Sequence, residues 1–244
     1  MLSFDRFYSG VKEIYKFLGL LEFIRVLTKA KLVISAKRLY LHVRPVSGQV
    51  INMTTFLICC FAGLTIGIVF ASFFEWTLHK YVMHRPVWNF RYAFQAHAVV
   101  HHQVFKADKT YHIINEKDIK TIPMAWWNGP VLILIGAIPF ALISWAVGEW
   151  GFVVGGALAF ASYYCFYEYI HWCMHLPKAR RVEKPWWFRK LNGHHLLHHR
   201  YMHKNFNVVL PLADFLLGTL ILRAKTSFMQ ATGPSVPDVQ PQMV

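Results

Sequence analysis

Histidine is the residue type through which this 244-residue chain could do chemistry. Ten of its fourteen histidines fall into four short clusters: His79 and His84 in HKYVMH, His97, His101 and His102 in HAVVHH, His171 and His175 in HWCMH, and His195, His198 and His199 in HLLHH. Residues three or four apart share one face of a helix, about 5–6 Å from each other. His97 with His101, His171 with His175, and His195 with His198 and His199 can therefore each grip one metal together. The step of five from His79 to His84 overshoots a regular turn by about 140°, so that pair either brackets a distorted turn or serves two metals. Ten imidazoles exceed what one ion uses, whereas two ions would use most of them. Nitrogen donors without thiolate suit iron, zinc, copper or nickel rather than magnesium or calcium. An isolated histidine is ordinarily a satisfied core or surface residue, and His42, His112, His194 and His203, which lie outside the clusters, are read that way. Of these four, His194 and His203 flank the last cluster.

Each cluster borders an apolar stretch. Residues 51–73 carry no charge, and at about 1.5 Å per residue they are long enough to cross roughly 30 Å of hydrocarbon. A second pair of apolar stretches, 125–147 and 150–170, is joined by Gly148, Glu149, Trp150 and Gly151, a turn that predicts an antiparallel helical hairpin. No Lys or Arg occurs from Thr121 through Pro177, and basic residues crowd both ends of that interval. The positive-inside rule then puts both ends, with the histidines, on the cytoplasmic side. A single crossing at 51–73 would put the basic N-terminal arm and the region after it on opposite sides, so this stretch is either a bent, half-crossing helix or an exception to the rule; Gly63 and Gly67 permit close packing in either case.

Composition agrees with a bilayer as partial solvent: 55% of residues are hydrophobic and 16% charged, and the net charge of +14 suits anionic headgroups better than nucleic acid in so apolar a chain. Cys59, Cys60, Cys165 and Cys173 form no CxxC pair and read as buried thiols. Residues 1–49 hold nine basic residues interleaved with apolar ones at helical spacing, a basic amphipathic arm for a membrane surface, with no cleaved secretory signal expected. Trp126, Trp127, Trp186 and Trp187 read as an interfacial belt. The expected fold is all-α: an integral-membrane helical bundle with a cytoplasm-facing, histidine-rich metal-binding cap. The expected organisation is an N-terminal arm at 1–49, a membrane domain at 50–225 and a flexible tail at 226–244.

The residues from Glu75 to Thr219 resemble the fatty acid hydroxylase and sterol desaturase superfamily, closest in motif to fatty acid 2-hydroxylases. Glu75, Trp76, His79, Lys80 and His84 are similar to its first motif. Tyr167, Glu168, His171, Trp172 and His175 resemble its third, where the 2-hydroxylases carry Tyr, Asp, His, Tyr and His. WFRKLNGHHLLHH, followed by Asn205, Phe206, Pro211, Leu212, Asp214, Gly218 and Thr219, resembles its ending. Three residues rather than two separate His97 from His101, Asn207 stands in place of the usual glycine, and Ala213 in place of the usual tryptophan.

The resemblance implies an oxidoreductase, a monooxygenase with two iron ions held by the ten clustered histidines, zinc being able to take their place. It implies O₂ as co-substrate, and two electrons from an external donor, either a cytochrome b5-like protein or a ferredoxin with its reductase. The substrate it implies is an aliphatic C–H of a membrane lipid, whether fatty acyl, sphingoid or sterol, in the bacterial inner membrane or endoplasmic reticulum. No acid or base side chain breaks such a bond, so no catalytic residue is expected beyond the metal centre. Glu75, Glu168, Asn205 and Asp214 are expected to accept hydrogen bonds from the ring nitrogens turned away from the metals. Three rivals stand beside hydroxylation. A desaturase would use the same centre; a metal transporter would need its ligands near the bilayer midplane rather than at span ends; a non-catalytic scaffold would tolerate loss of single histidines.

Overall fold

The computed structural model describes residues 52–223. The N-terminal arm, with His42, and the C-terminal tail expected from the sequence lie outside the described residues. Five helices carry the architecture: α1 (Met53–Leu78), α2 (Asn128–Val147), α3 (Gly151–His175), α4 (Trp186–Arg200) and α5 (Leu212–Leu216). The described residues contain no strand, only an isolated bridge between Val87 and Phe90.

Two compact units share these helices, one drawing on residues 52–68 and 134–160, the other on 69–133 and 161–223. In the first unit α1 packs against α3 so closely that glycine is required at the contact. A Cβ at Gly63 would come 2.5 Å from the Phe152 carbonyl oxygen, and one at Gly155 would collide with the Cys60 carbonyl. The turn from α2 to α3 forms as the sequence predicts: Gly148, at φ 81°, ends α2, and its N–H donates to the Ser144 carbonyl at 2.8 Å. The Ser144 hydroxyl then accepts from the N–H of Val153 at 2.9 Å, satisfying an amide in the first turn of α3.

Met53–Met83 and Asn128–Val147 are long and apolar enough to cross a membrane. The third expected span differs. Helix α3 continues to His175, and Glu168, His171 and His175 in its last two turns lower its hydropathy below that of the other two.

The second unit holds a core of Tyr167, Ile170, Cys173, Met174, Phe188 and Val208. Around it, the end of α3, all of α4 and the chain between α1 and α2 bring the histidines together. Two stretches of that chain, His79–Met83 and Gln95–His101, wind as π-helix rather than α-helix.

Candidate metal centre

The ten clustered histidines converge into two groups of five. His79, His84, His97, His102 and His198 form one; His101, His171, His175, His195 and His199 form the other; within each, one ring nitrogen per residue lies within 4.8 Å of all the rest. Nine of the ten side chains are buried, and His84 is half-buried.

The π-turns explain why this division departs from helical spacing. A π-helix bonds residue i to i+5, and the N–H of His84 donates to the carbonyl of His79 at 3.1 Å. The step of five that overshoots an α-helical turn thus closes one π-turn, and the His79 and His84 rings stack with centroids 5.1 Å apart. The same winding pairs His97 with His102, five apart, with their Nε2 atoms at 3.1 Å. His101 goes to the second group, which corrects the expectation that His97 and His101 share one metal. On α4, likewise, His195 and His199 go to the second group and His198 to the first. His171 with His175, and His195 with His199, stay together as the simple helical reading has them.

Main-chain carbonyls set the orientation of five of these rings. His79 Nδ1 meets the carbonyl of Phe206 and His198 Nδ1 that of Lys204, at 2.7 Å. In the second group, His101 Nδ1 meets Thr121 O (3.2 Å), His175 Nδ1 meets Tyr111 O (2.8 Å) and His199 Nδ1 meets Phe105 O (2.6 Å). Two straps therefore hold the site, residues 105–121 around the second group and 204–206 around the first. A carbonyl only accepts, so Nδ1 carries the hydrogen in each of these rings and Nε2 presents a bare lone pair.

Protonating the rings does not remove those lone pairs at neutral pH. Burial pushes His84 and His101 down to about 4. Burial first, then the neighbouring imidazoles, hold His102, His195 and His199 below the ordinary value, and burial and His84 do the same for His198. The lone pairs meet one another. Nε2 of His175 and Nε2 of His199 lie 3.1 and 3.0 Å from Nε2 of His195. That nitrogen can offer one hydrogen at most, so one of the two contacts sets lone pair against lone pair. The buried Nε2 atoms of His101 and His171 have no hydrogen-bond partner at all. Buried acceptors without donors are costly, and a divalent cation with imidazole preference is the species that satisfies them together. The donor set fits a metal in each group.

The four polar residues expected to accept from the ligand rings do other work, and main-chain carbonyls take that place on five of the rings. Glu75 accepts from the Tyr163 hydroxyl (2.7 Å), the Asn207 amide (2.9 Å) and the N–H of Val208 (2.8 Å). Glu168 lies 3.3 Å from the N–H of Met124. Asn205 donates its side chain to the carbonyls of His194 and Ile221 and accepts from the N–H of Ile221 at 2.7 Å. Asp214 accepts from the amides of Phe206 and Asn207, from the Thr219 hydroxyl and from His194. Main-chain acceptors leave no mark of residue type in a sequence, which is why these were missed. Asn205 was the exception in principle: it stands at φ 55°, a conformation that asparagine tolerates better than most residues. Of the other histidines, His112 donates to or accepts from nothing in either group, its Nδ1 facing the Met174 carbonyl at 3.1 Å; His203 is exposed. Trp126 and Trp186 stand exposed and Trp127 and Trp187 half-buried.

Fold and site together define a helical protein with two apolar, span-length helices and a buried double cluster of imidazoles suited to metal. Over residues 64–219 the sequence matches the fatty acid hydroxylase family, and the chain belongs to it. No curated protein and no solved structure matched the chain. Membership makes it a membrane-associated oxidoreductase of the lipid hydroxylase or desaturase type, in a family that depends on metal.

Proposed function

We propose that the protein is an integral-membrane di-iron monooxygenase that hydroxylates an aliphatic C–H of a fatty acyl, sphingoid or sterol lipid. The observation that carries this reading is the division of ten imidazoles into two groups of five, each with one ring nitrogen per residue turned inward. Two irons bound there would supply reduction of O₂ and the oxidising power to break an unactivated C–H bond, with two electrons delivered by a cytochrome b5-like protein or a ferredoxin and its reductase.

The chain's own residues do the rest. Carbonyls of the two straps hold Nδ1–H and leave Nε2 for metal; the burial of nine of ten rings keeps water from the centre. Hydroxylation is favoured over desaturation by the likeness of Tyr167, Glu168, His171, Trp172 and His175 to the corresponding motif of fatty acid 2-hydroxylases. The absence of Lys and Arg from Thr121 through Pro177, with basic residues at both ends, supports a metal site on the cytoplasmic face of a bacterial inner membrane or endoplasmic reticulum.

The experiment is iron content and Mössbauer spectroscopy of detergent-purified protein expressed with ample iron, followed by turnover of a membrane-lipid mixture with O₂ and a chemical reductant. Two irons per chain and a product that has gained one oxygen support the proposal. A product that has lost two hydrogens makes the protein a desaturase. A chain that takes up no iron overturns the di-iron reading.

A further inference from the structure

The carbonyls that hold the rings belong to peptide units, and those units differ in what their N–H meets. Beyond the Phe105 carbonyl, the N–H of Lys106 donates to the Thr110 hydroxyl at 3.2 Å. Beyond Thr121, the N–H of Ile122 donates to the Ile119 carbonyl at 3.2 Å, and beyond Lys204 the N–H of Asn205 donates to the Thr219 carbonyl at 3.1 Å. These partners are neutral. Beyond Phe206, the N–H of Asn207 donates to Oδ2 of Asp214 at 2.7 Å. One peptide plane thus accepts from His79 Nδ1–H at its carbonyl and donates to a carboxylate at its amide.

Amide resonance couples the two ends of that plane. A negative charge drawing on the N–H increases the electron density on the carbonyl oxygen. Hydrogen bonds in such a chain strengthen one another, by about 10–30% per bond. A better acceptor at Nδ1–H makes the ring a stronger donor at Nε2, as a directly bonded carboxylate does for a metal-bound histidine. Geometry keeps Asp214 in place. Its residue is fully buried, and its oxygens also accept from the N–H of Phe206 (2.9 Å), the Thr219 hydroxyl (2.6 Å) and His194 Nε2 (3.2 Å). Burial opposes ionisation of this carboxyl, but the bonds from His194, Thr219 and the two amides outweigh it and hold it below the usual carboxylate value.

We infer that Asp214 is a positioning residue for one of the two metal groups, acting on His79 through the Phe206–Asn207 peptide, whereas the peptides beyond Phe105 and Thr121, which serve the group containing His101, donate to neutral partners. The inference rests on the proposal that both groups bind metal. Co²⁺ is the probe, titrated into chelated, detergent-purified full-length protein against a competing chelator and followed by its visible absorption. Each group is read alone, the first in a His171→Ala background and the second in a His79→Ala background.

Asp214→Asn is expected to weaken Co²⁺ binding at the first group by about 10–100-fold and to shift its absorption envelope, with the second group unchanged. His194→Gln, which alters another contact of Asp214 and leaves the peptide relay intact, is expected to change neither. Unchanged binding at the first group in Asp214→Asn overturns the inference, and so does an equal loss in both groups or an equal loss in His194→Gln, since those mark a purely structural role. If Asp214→Asn does not fold, Asp214→Glu, which keeps the charge and moves the oxygens, is read in the same way, with a loss confined to the first group expected. Failure of the parent protein to bind Co²⁺ removes the metal centre and the relay together, whereas two bound ions with an indifferent Asp214 remove the relay alone.

Discussion

His97 and His101 lie with their rings nearly parallel, 13° between planes and 5.1 Å between centroids, and yet they belong to different metal groups. The π-turn between them sends the Nε2 of His97 toward that of His79, at 2.8 Å, while His101 is turned to the carbonyl of Thr121. Adjacent rings serving separate ions make an expectation that neither residue alone would give. His97→Ala and His101→Ala should each lose about one of two metals, and not the same one. Elemental analysis gives the count, and Mössbauer spectra of the two iron-loaded variants should retain different components. Loss of both metals in either variant would mean that the groups load as a single unit.

Acid should act on the metal-free protein over a defined window. His101, buried and pushed down to about 4 from an ordinary 6.5, stays neutral in the fold while the unfolded chain takes up a proton. Between those values the unfolded state binds more protons, so stability falls as pH falls from 6.5 to 4 and levels off below. The difference corresponds to on the order of 3 kcal/mol for this one ring, and His84, lowered to about 4 but half-buried, adds a smaller amount over the same range. Thermal unfolding of chelated protein in detergent should show the slope, and metal-loaded protein should show at least as steep a fall that continues below pH 4, because the ion keeps the folded rings unprotonated while the unfolded chain still takes up protons. A metal-loaded curve that levels off at the same pH as the metal-free one would contradict this account of the site.

Much of this arrangement could be read from residue types. The four clusters, the hairpin at Gly148 and the small residues at Gly63 and Gly67 follow from spacing and from steric size, which sequence carries directly. The partition of the rings could not be read in the same way. Periodicity assumes an α-helix, and a π-turn exchanges the i+4 neighbour for the i+5 neighbour at His79–His84 and at His97–His102. The acceptors at Phe105, Tyr111, Thr121, Lys204 and Phe206 are main-chain atoms, which any residue would supply. Charged and amide side chains are the acceptors a sequence displays, and Glu75, Asn205 and Asp214 hold the strap that carries two of those carbonyls.

Glu75 shows what that holding is worth. Its carboxylate accepts three buried hydrogen bonds, from Tyr163, Asn207 and Val208. In Glu75→Gln one oxygen becomes an NH₂ group, which faces at least one donor where an acceptor is needed. Leaving a buried donor unsatisfied costs about 1–3 kcal/mol. The melting temperature should drop accordingly, and Tyr163→Phe, which removes one donor and leaves the carboxylate, should cost less, about 1 kcal/mol. A Glu75→Gln protein as stable as the parent would show that the Asn207–Val208 segment is held by something else.

Asn205 separates backbone strain from side-chain bonding, because glycine and alanine remove its amide equally but treat its φ of 55° differently. Both substitutions delete the bonds to His194 and Ile221, at roughly 1 kcal/mol for each bond lost. Glycine accepts the left-handed conformation freely, whereas alanine carries a further cost of about 1–2 kcal/mol. Asn205→Ala should therefore be the less stable of the two by that margin in thermal or denaturant unfolding. The difference should also reach the metal. A strap relaxing out of the left-handed turn swings the carbonyls of Lys204 and Phe206, on either side of residue 205, away from His198 and His79. Both of those rings belong to the same group, so Asn205→Ala should release one metal more readily than Asn205→Gly and leave the other in place. Equal metal retention in the two variants, with the stability difference intact, would show that the rings keep their orientation without the strap.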